Sequence, residues 1–176
     1  MPPNPVPNGP TLAVIPARGG SRGIAGKNIV MVAGKPLLAW TVEAARAARG
    51  IDRVVVSSDA DSILEVATRF GAEALRRPAE LATDTAASEP VITHCLDRLD
   101  EREGYVPGTV VLLQPTSPIR TAADIDAALE LLVAPIEAVI SVYEPGHSPY
   151  KCFRETPEGL LRGLVSDDAP FRRRQD

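Results

Sequence analysis

The chain has 176 residues, 44% of them hydrophobic and 24% charged, with a formal net charge of −4. That length supports one domain with an appendage and a substantial core, while no uninterrupted apolar run reaches the ~18 residues of a membrane helix, and a net negative charge gives no general attraction to nucleic acid. Residues 1–10 are proline-rich, with neither a basic n-region nor an apolar h-region; they are expected to be a disordered tail rather than a secretory leader, which implies a cytoplasmic location.

Strand-like and helix-like segments then alternate. Leu12 to Ile15 is a short apolar strand, and Pro36 to Arg49 is expected to be helical, with Leu37, Leu38, Thr41, Ala44, Ala45 and Ala48 inward and Gly50 as its stop. Arg53 to Ser57 forms the next strand. Asp61 to Phe70 forms a helix with Ile63, Leu64, Ala67 and Phe70 inward, closed by Gly71, and a short strand follows around Ala72 to Leu75. Ser88 to Glu103 is a third helix, burying Val91, Ile92, Cys95, Leu96 and Leu99. Thr109 to Leu113 is β-branched and apolar, as in a strand covered on both faces. Thr121 caps a fourth helix that runs to about Val133 with Ile125, Leu129 and Leu132 buried, and Glu137 to Val142 makes a fifth strand. This alternation is α/β and implies a parallel sheet with helices on both faces. Past Pro145, the segments Tyr150 to Thr156 and Gly159 to Val165 flank Pro157-Glu158-Gly159 as a β-hairpin, so the chain divides into a tail (1–10), a main domain (11–144) and a hairpin extension (145–176).

In such a sheet a ligand sits beyond the carboxyl ends of the strands, which singles out the loops Arg18 to Asn28, Arg77 to Ser88 and Gln114 to Thr121. The first is rich in glycine and carries Arg18, Arg22 and Lys27. Glycines let backbone N–H groups converge on an anion, and the flanking cations can hold charge that moves to a leaving group, so a nucleoside triphosphate suits it. Neither common phosphate motif fits. Gly20 and Gly26 are too widely spaced for G-x-x-x-x-G-K-[ST], with Asn28 after Lys27, and Ser21 replaces the second glycine of G-x-G-x-x-G. A surface loop whose glycines serve only turns is the plainer alternative. Cys95 and Cys152 are far apart, without C-x-x-C and with only two histidines in the chain, which points to free thiols rather than a zinc site. His94 falls on the flank of the third helix as a surface residue, and His147 in a loop.

Four segments carry a family resemblance in the right order: Pro16 to Gly23 with Gly26-Lys27-Asn28; Ser57-Ser58-Asp59; Arg77-Pro78-Ala79-Glu80-Leu81-Ala82-Thr83-Asp84-Thr85; and Leu113-Gln114-Pro115-Thr116-Ser117-Pro118-Ile119-Arg120-Thr121. Over about residues 12–151 the chain resembles the acylneuraminate cytidylyltransferases, which make CMP-sialic acids. The resemblance implies a Rossmann-like nucleotidyltransferase domain, CTP and a nonulosonic acid as substrates, magnesium, and a homodimer embraced by the hairpin. It implies attack by the sugar acid's anomeric hydroxyl on the α-phosphorus of CTP, catalysed by positioning and charge, with Arg18 and Lys27 as catalytic residues. Arg18, Ser21, Arg22 and Lys27 would hold the triphosphate and Asn28 the ribose. Arg77, the backbone at Ala86 and the Ser88 hydroxyl would read cytosine, although Ser88 equally suits an N-cap. Gln114 would meet sugar hydroxyls, with Lys151 and Arg174 facing the sugar carboxylate; solvated charge is the alternative for both.

Family members continue with further substrate contacts and a late acidic pair that ligates magnesium. Neither occurs before Asp176, so the expectation is a shortened chain whose metal ligands are unassigned, with Asp59 and Asp84 as substitutes. Two other readings stand beside the main one. 3-deoxy-manno-octulosonate cytidylyltransferase is disfavoured by Asn28 after Lys27 and by Thr116 where an acidic metal ligand belongs. The other is a truncated nucleotide-binding remnant without activity.

Overall fold

The structure, a computed structural model, describes residues 9–20, 23–143, 146, 148, 150 and 152–166. It falls into two compact units, one ending at Val139 and the other beginning at Ile140. In the first, β1 (Thr11–Pro16) leads through a 3-10 turn (Lys27–Ile29) into a small hairpin, β2 (Met31–Val32) and β3 (Lys35–Pro36), then α1 (Leu37–Ala47) and β4 (Arg53–Ser58). There follow α2 (Asp61–Arg69), β5 (Glu73–Arg76), a 3-10 turn (Ala79–Ala82), α3 (Ser88–Glu103), β6 (Thr109–Leu112) and α4 (Ala122–Glu130). In the second unit β7 (Phe153–Glu155) pairs antiparallel with β8 (Leu161–Gly163), and Gly159 turns the chain at φ +78. This is the hairpin expected around Pro157-Glu158-Gly159.

The main sheet has the strand order β5-β4-β1-β6, and every pairing in it is parallel. Period-two alternation along β1 divides the core in two. Ala13 and Ile15 face Leu38 and Val42 of α1, Ile63 and Ala67 of α2, and Ile125 of α4. Leu12 and Val14 face the other way, with Val55 and Leu75, onto Cys95 and Leu99 of α3. Helices therefore cover both faces, as expected.

Five local expectations need correction. No strand forms over Glu137 to Val142; the segment has β-branched composition, but a strand also requires a ladder, and here Ile140 and Val142 are 80% and 88% exposed. Accordingly β6 is an edge strand among the described residues, with Val110 and Leu112 over a third exposed rather than covered on both faces. Gly50 does not stop α1, which is capped at Ala48; glycine at 50 gives room to α4, since a Cβ there would lie 2.7 Å from Leu129 Cδ1 and push that methyl aside. On α1 the buried face runs through Leu38, Ala39, Thr41, Val42 and Ala45, so Leu37 and Ala44 give way to Ala39 and Val42. The fourth helix also stops at Glu130, short of Val133.

Three termini follow the sequence closely. Thr121 and Asp124 form a reciprocal capping box at the start of α4. Gly71, at φ +86, closes α2: its N–H donates to the Thr68 carbonyl and that of Ala72 to the Ala67 carbonyl, a Schellman arrangement. Gly104, at φ +64, closes α3 with open space where a Cβ would stand, whereas a Cβ on Gly71 would meet the Arg46 guanidinium at 2.5 Å. Gly104→Ala should therefore cost about 1–2 kcal/mol, the left-handed backbone penalty alone. Gly71→Ala should cost more, because Arg46 must also leave its 3.2 Å hydrogen bond to the Phe70 carbonyl. Urea unfolding of the two variants compares these directly.

Candidate functional site

Parallel pairing sends the carboxyl ends of β1, β4, β5 and β6 to one edge of the sheet, and the strand order reverses between β1 and β6. Three loops at that edge wall a cleft of about 340 Å³. Pro16 ends β1, and Arg18, Gly23, Lys27 and Asn28 come from the loop after it; Arg77, Ala86 and Ala87 come from the loop after β5, with Ser88 and Val91 in the first turn of α3; Gln114, Pro115 and Thr116 come from the loop after β6. Of the residues singled out by sequence, Arg18, Lys27, Asn28, Arg77, Ala86, Ser88 and Gln114 are brought together here. Ser21, Arg22, Lys151 and Arg174 lie outside the described residues, as does His147.

The glycine-rich loop is tied down at both ends. The Gly19 N–H donates to Asp59 Oδ1 at 2.9 Å. A Cβ on Gly19 would stand 2.9 Å from the Ala60 Cβ, so only glycine allows this approach to the β4–α2 corner. Asn28, buried, donates from Nδ2 to the Arg18 carbonyl at 3.0 Å. Its observed work is to pin the loop. Its side-chain oxygen can still serve a ligand.

The charges are arranged in opposed pairs. Arg18 makes an ion pair with Asp84 across the cleft, both side chains 31% exposed. Arg77 is buried, with its Nη2 4.0 Å from Asp59 Oδ1, near enough for attraction but too far for a hydrogen bond. Its Nε and Nη2 have no hydrogen-bond partner. Burial pushes the Arg77 guanidinium below its ordinary pKa; Asp59 and the Cys95 thiol act against this, and Arg18 adds to it. Among the described residues Lys27 makes no ion pair.

Backbone and hydroxyl groups complete the walls. Ser88 is the first residue of α3, and the cap position belongs to Ala87 with no side-chain bond, so the Ser88 hydroxyl is not a cap. Ala86 donates its N–H to the Thr83 carbonyl at 3.3 Å, which leaves its carbonyl as the backbone group to offer. The Gln114 carbonyl accepts from the Ser117 N–H at 3.3 Å and from Arg120 Nη2 at 3.1 Å. Burial lowers the Arg120 pKa, opposed by Asp124. His94 is half-buried on α3 and does not line the cleft.

Among the described residues there is no group of three or more His, Cys, Asp or Glu placed to hold an ion, and the carboxylates of Asp59 and Asp84 are engaged as above. Cys95 and Cys152 are free. No helix is long and apolar enough to cross a membrane among the described residues. Sequence reasoning missed the loop-fixing part of Asp59, the brace from Arg120, and Val91 as a floor residue. A carboxylate directly after a buried strand and an arginine directly before a helix cap were the available signals; Val91 gave none beyond helical spacing.

Comparison with known proteins settles the lineage of this arrangement. The family model "Cytidylyltransferase" matches residues 12–145. The chain belongs to the cytidylyltransferase family. It is 42% identical over 120 residues to an N-acylneuraminate cytidylyltransferase of Escherichia coli, covering 68% of this chain and 27% of that protein. It is 38% identical over 151 residues to a CMP-N,N'-diacetyllegionaminic acid synthase of Legionella pneumophila, covering 85% of this chain and 65% of that one. The chain thus spans from about a quarter to two thirds of the length of these relatives. Its fold matches CMP:2-keto-3-deoxy-manno-octonic acid synthetase, solved with CTP, at a TM-score of 0.56 and 23% identity over 69% of this chain and 46% of that one. The fold of the cytidylyltransferase is thereby a nucleotidyltransferase α/β fold.

A buried arginine with unpartnered donors costs the empty protein stability, because desolvation is not repaid. Arg77→Met should therefore leave thermal stability unchanged or raise it. A loss beyond about 3 kcal/mol, the scale of a broken buried pair, would show Arg77 to be a structural brace instead.

Proposed function

We propose that this cleft binds CTP and a sialic-type nonulosonic acid and serves the transfer of CMP to the sugar acid with release of pyrophosphate. The observation that carries the reading is Arg77: a buried guanidinium whose Nε and Nη2 lack acceptors, set beside the small wall Ala86-Ala87-Ser88 and across from Arg18 and Lys27. Cytosine supplies two acceptors, a ring nitrogen and a carbonyl, for Arg77 and the Ser88 hydroxyl, and its amino group suits the Ala86 carbonyl. The Arg18 and Lys27 side then receives the phosphates, with Ser21 and Arg22 of the same loop. Gln114, with Lys151 and Arg174, is assigned to the acceptor.

In the reaction the anomeric hydroxyl gives its proton to water and its oxygen forms a bond to the α-phosphorus, while the bond from that phosphorus to the bridging oxygen breaks and negative charge moves onto pyrophosphate. Arg18 and Lys27 meet that charge from a loop whose backbone is pinned. Magnesium would enter on the triphosphate, as it usually does. Among the described residues no group of three or more His, Cys, Asp or Glu is placed to hold it. The names of the sequence relatives support a sialic-type acceptor over an octulosonate, as do Asn28 and Thr116. Free thiols and the demand for CTP are in keeping with the cytoplasm.

Calorimetric titration should show CTP binding well above ATP, GTP and UTP, with the preference lost in Arg77→Ala; equal binding of all four would defeat the base assignment. Arg18→Ala should weaken CTP roughly tenfold to a hundredfold, the worth of one charge-assisted contact, with the fold intact by circular dichroism.

The β7–β8 hairpin exposes Phe153, Leu160, Leu161, Leu164 and Val165, which supports a role for it as a homodimer arm. Sedimentation of the chain should give a dimer, and Leu161→Glu with Leu164→Glu should give monomer. A stable monomer of the unmodified chain would refute the arm.

A further inference from the structure

The ion pair between Arg18, which lines the cleft, and Asp84 joins the loop after β1 to the loop before α3. We propose that Asp84 is the resting partner of Arg18: it holds Arg18 in the empty protein, and only a ligand bringing enough negative charge can take Arg18 from it. The inference rests on the cytidylyltransferase reading of the cleft and deepens it.

The backbone at Arg18 is fixed by the Asn28 amide on its carbonyl and by Asp59 on the neighbouring Gly19 N–H, so an exchange of partners moves a side chain only. Both partners are 31% exposed, which keeps the pair screened and weak enough to exchange. Charge accounting sets the direction. Arg18 and Arg77 face Asp84 and Asp59, leaving Lys27 as the unmatched cation among the described residues of the cleft. A monophosphate can be met by Lys27 alone, and Asp84 then keeps Arg18. A triphosphate exceeds what one cation can balance and draws Arg18 over. When the α–β bond breaks and pyrophosphate leaves, Arg18 returns to Asp84, which favours release of a ligand bearing one phosphoryl group. Asp84 thus acts through Arg18 and is a positioning residue rather than a catalytic one.

The test compares cytidine, CMP, CTP and inorganic tripolyphosphate binding to the unmodified chain, Asp84→Asn, Arg18→Ala and the double variant, with thermal melting as the check on folding. Asp84→Asn should tighten CTP and tripolyphosphate about threefold to tenfold, tighten CMP by less than CTP, and leave cytidine unchanged. In the Arg18→Ala background the Asp84→Asn effect should vanish. An effect that persisted there would mean plain repulsion between Asp84 and phosphate and would overturn the partner exchange. Weaker CTP binding in Asp84→Asn would make Asp84 a ligand group and overturn it as well. Tripolyphosphate separates this inference from the base assignment: a tightening of tripolyphosphate without any preference for CTP among nucleotides would uphold the partner exchange and defeat the cytosine reading.

Discussion

The parallel placement of β1 between β4 and β6 is the constraint on which the site depends. β1 is buried along Thr11 to Ile15, and its two neighbours run the same way, so every loop that leaves this part of the sheet at its carboxyl edge starts within a few ångströms of the others. The reversal of strand order at β1 opens the gap between the loops that follow β1 and β6. Without that shared direction, residues as far apart in sequence as Arg18, Arg77 and Gln114 would have no common cleft.

What the sheet brings together, polar contacts then hold. Asp59 is the central piece: one carboxylate oxygen receives the Gly19 N–H and also stands 4.0 Å from the Arg77 guanidinium, so the phosphate-loop backbone and the buried cation share an anchor. The empty protein keeps Arg77 desolvated with donors unmet, a cost that folding alone gives no reason to bear. Such a cost is intelligible when the missing acceptors arrive with a ligand, and the stiffness of the surroundings then means that little has to be reorganised on binding.

Much of the fold could be read in the residues because local and global signals agreed. The stop at Gly71 and the cap at Thr121 coincide with real helix ends, since left-handed backbone and capping chemistry are local properties. Glu137 to Val142 failed for the opposite reason: strand composition is local, whereas strand formation depends on a partner. Gly50 was misread because two different needs, a left-handed turn and close approach to α4, select the same residue. The short β2–β3 hairpin left no periodic trace, being two residues on each side. In the site, loop position was enough to nominate Arg18, Lys27, Arg77 and Gln114. Which of them would be paired, buried or left without partners depends on side chains tens of residues away, and no spacing rule supplies that.

The edge strand β6 has a bearing on how the protein behaves in concentrated solution. Thr109-Val110-Val111-Leu112 contains no lysine, glutamate or proline, the residues that ordinarily blunt a sheet margin, and its outward ladder groups run beside exposed Val110 and Leu112. A margin of that kind is a template onto which a further strand, from any source, can add without disturbing the helices behind it. Crowded preparations would then lose material by accretion of ordered β-structure along this seam, with the α-helical signal intact, and a single lysine placed at 110 or 112 would be the economical remedy.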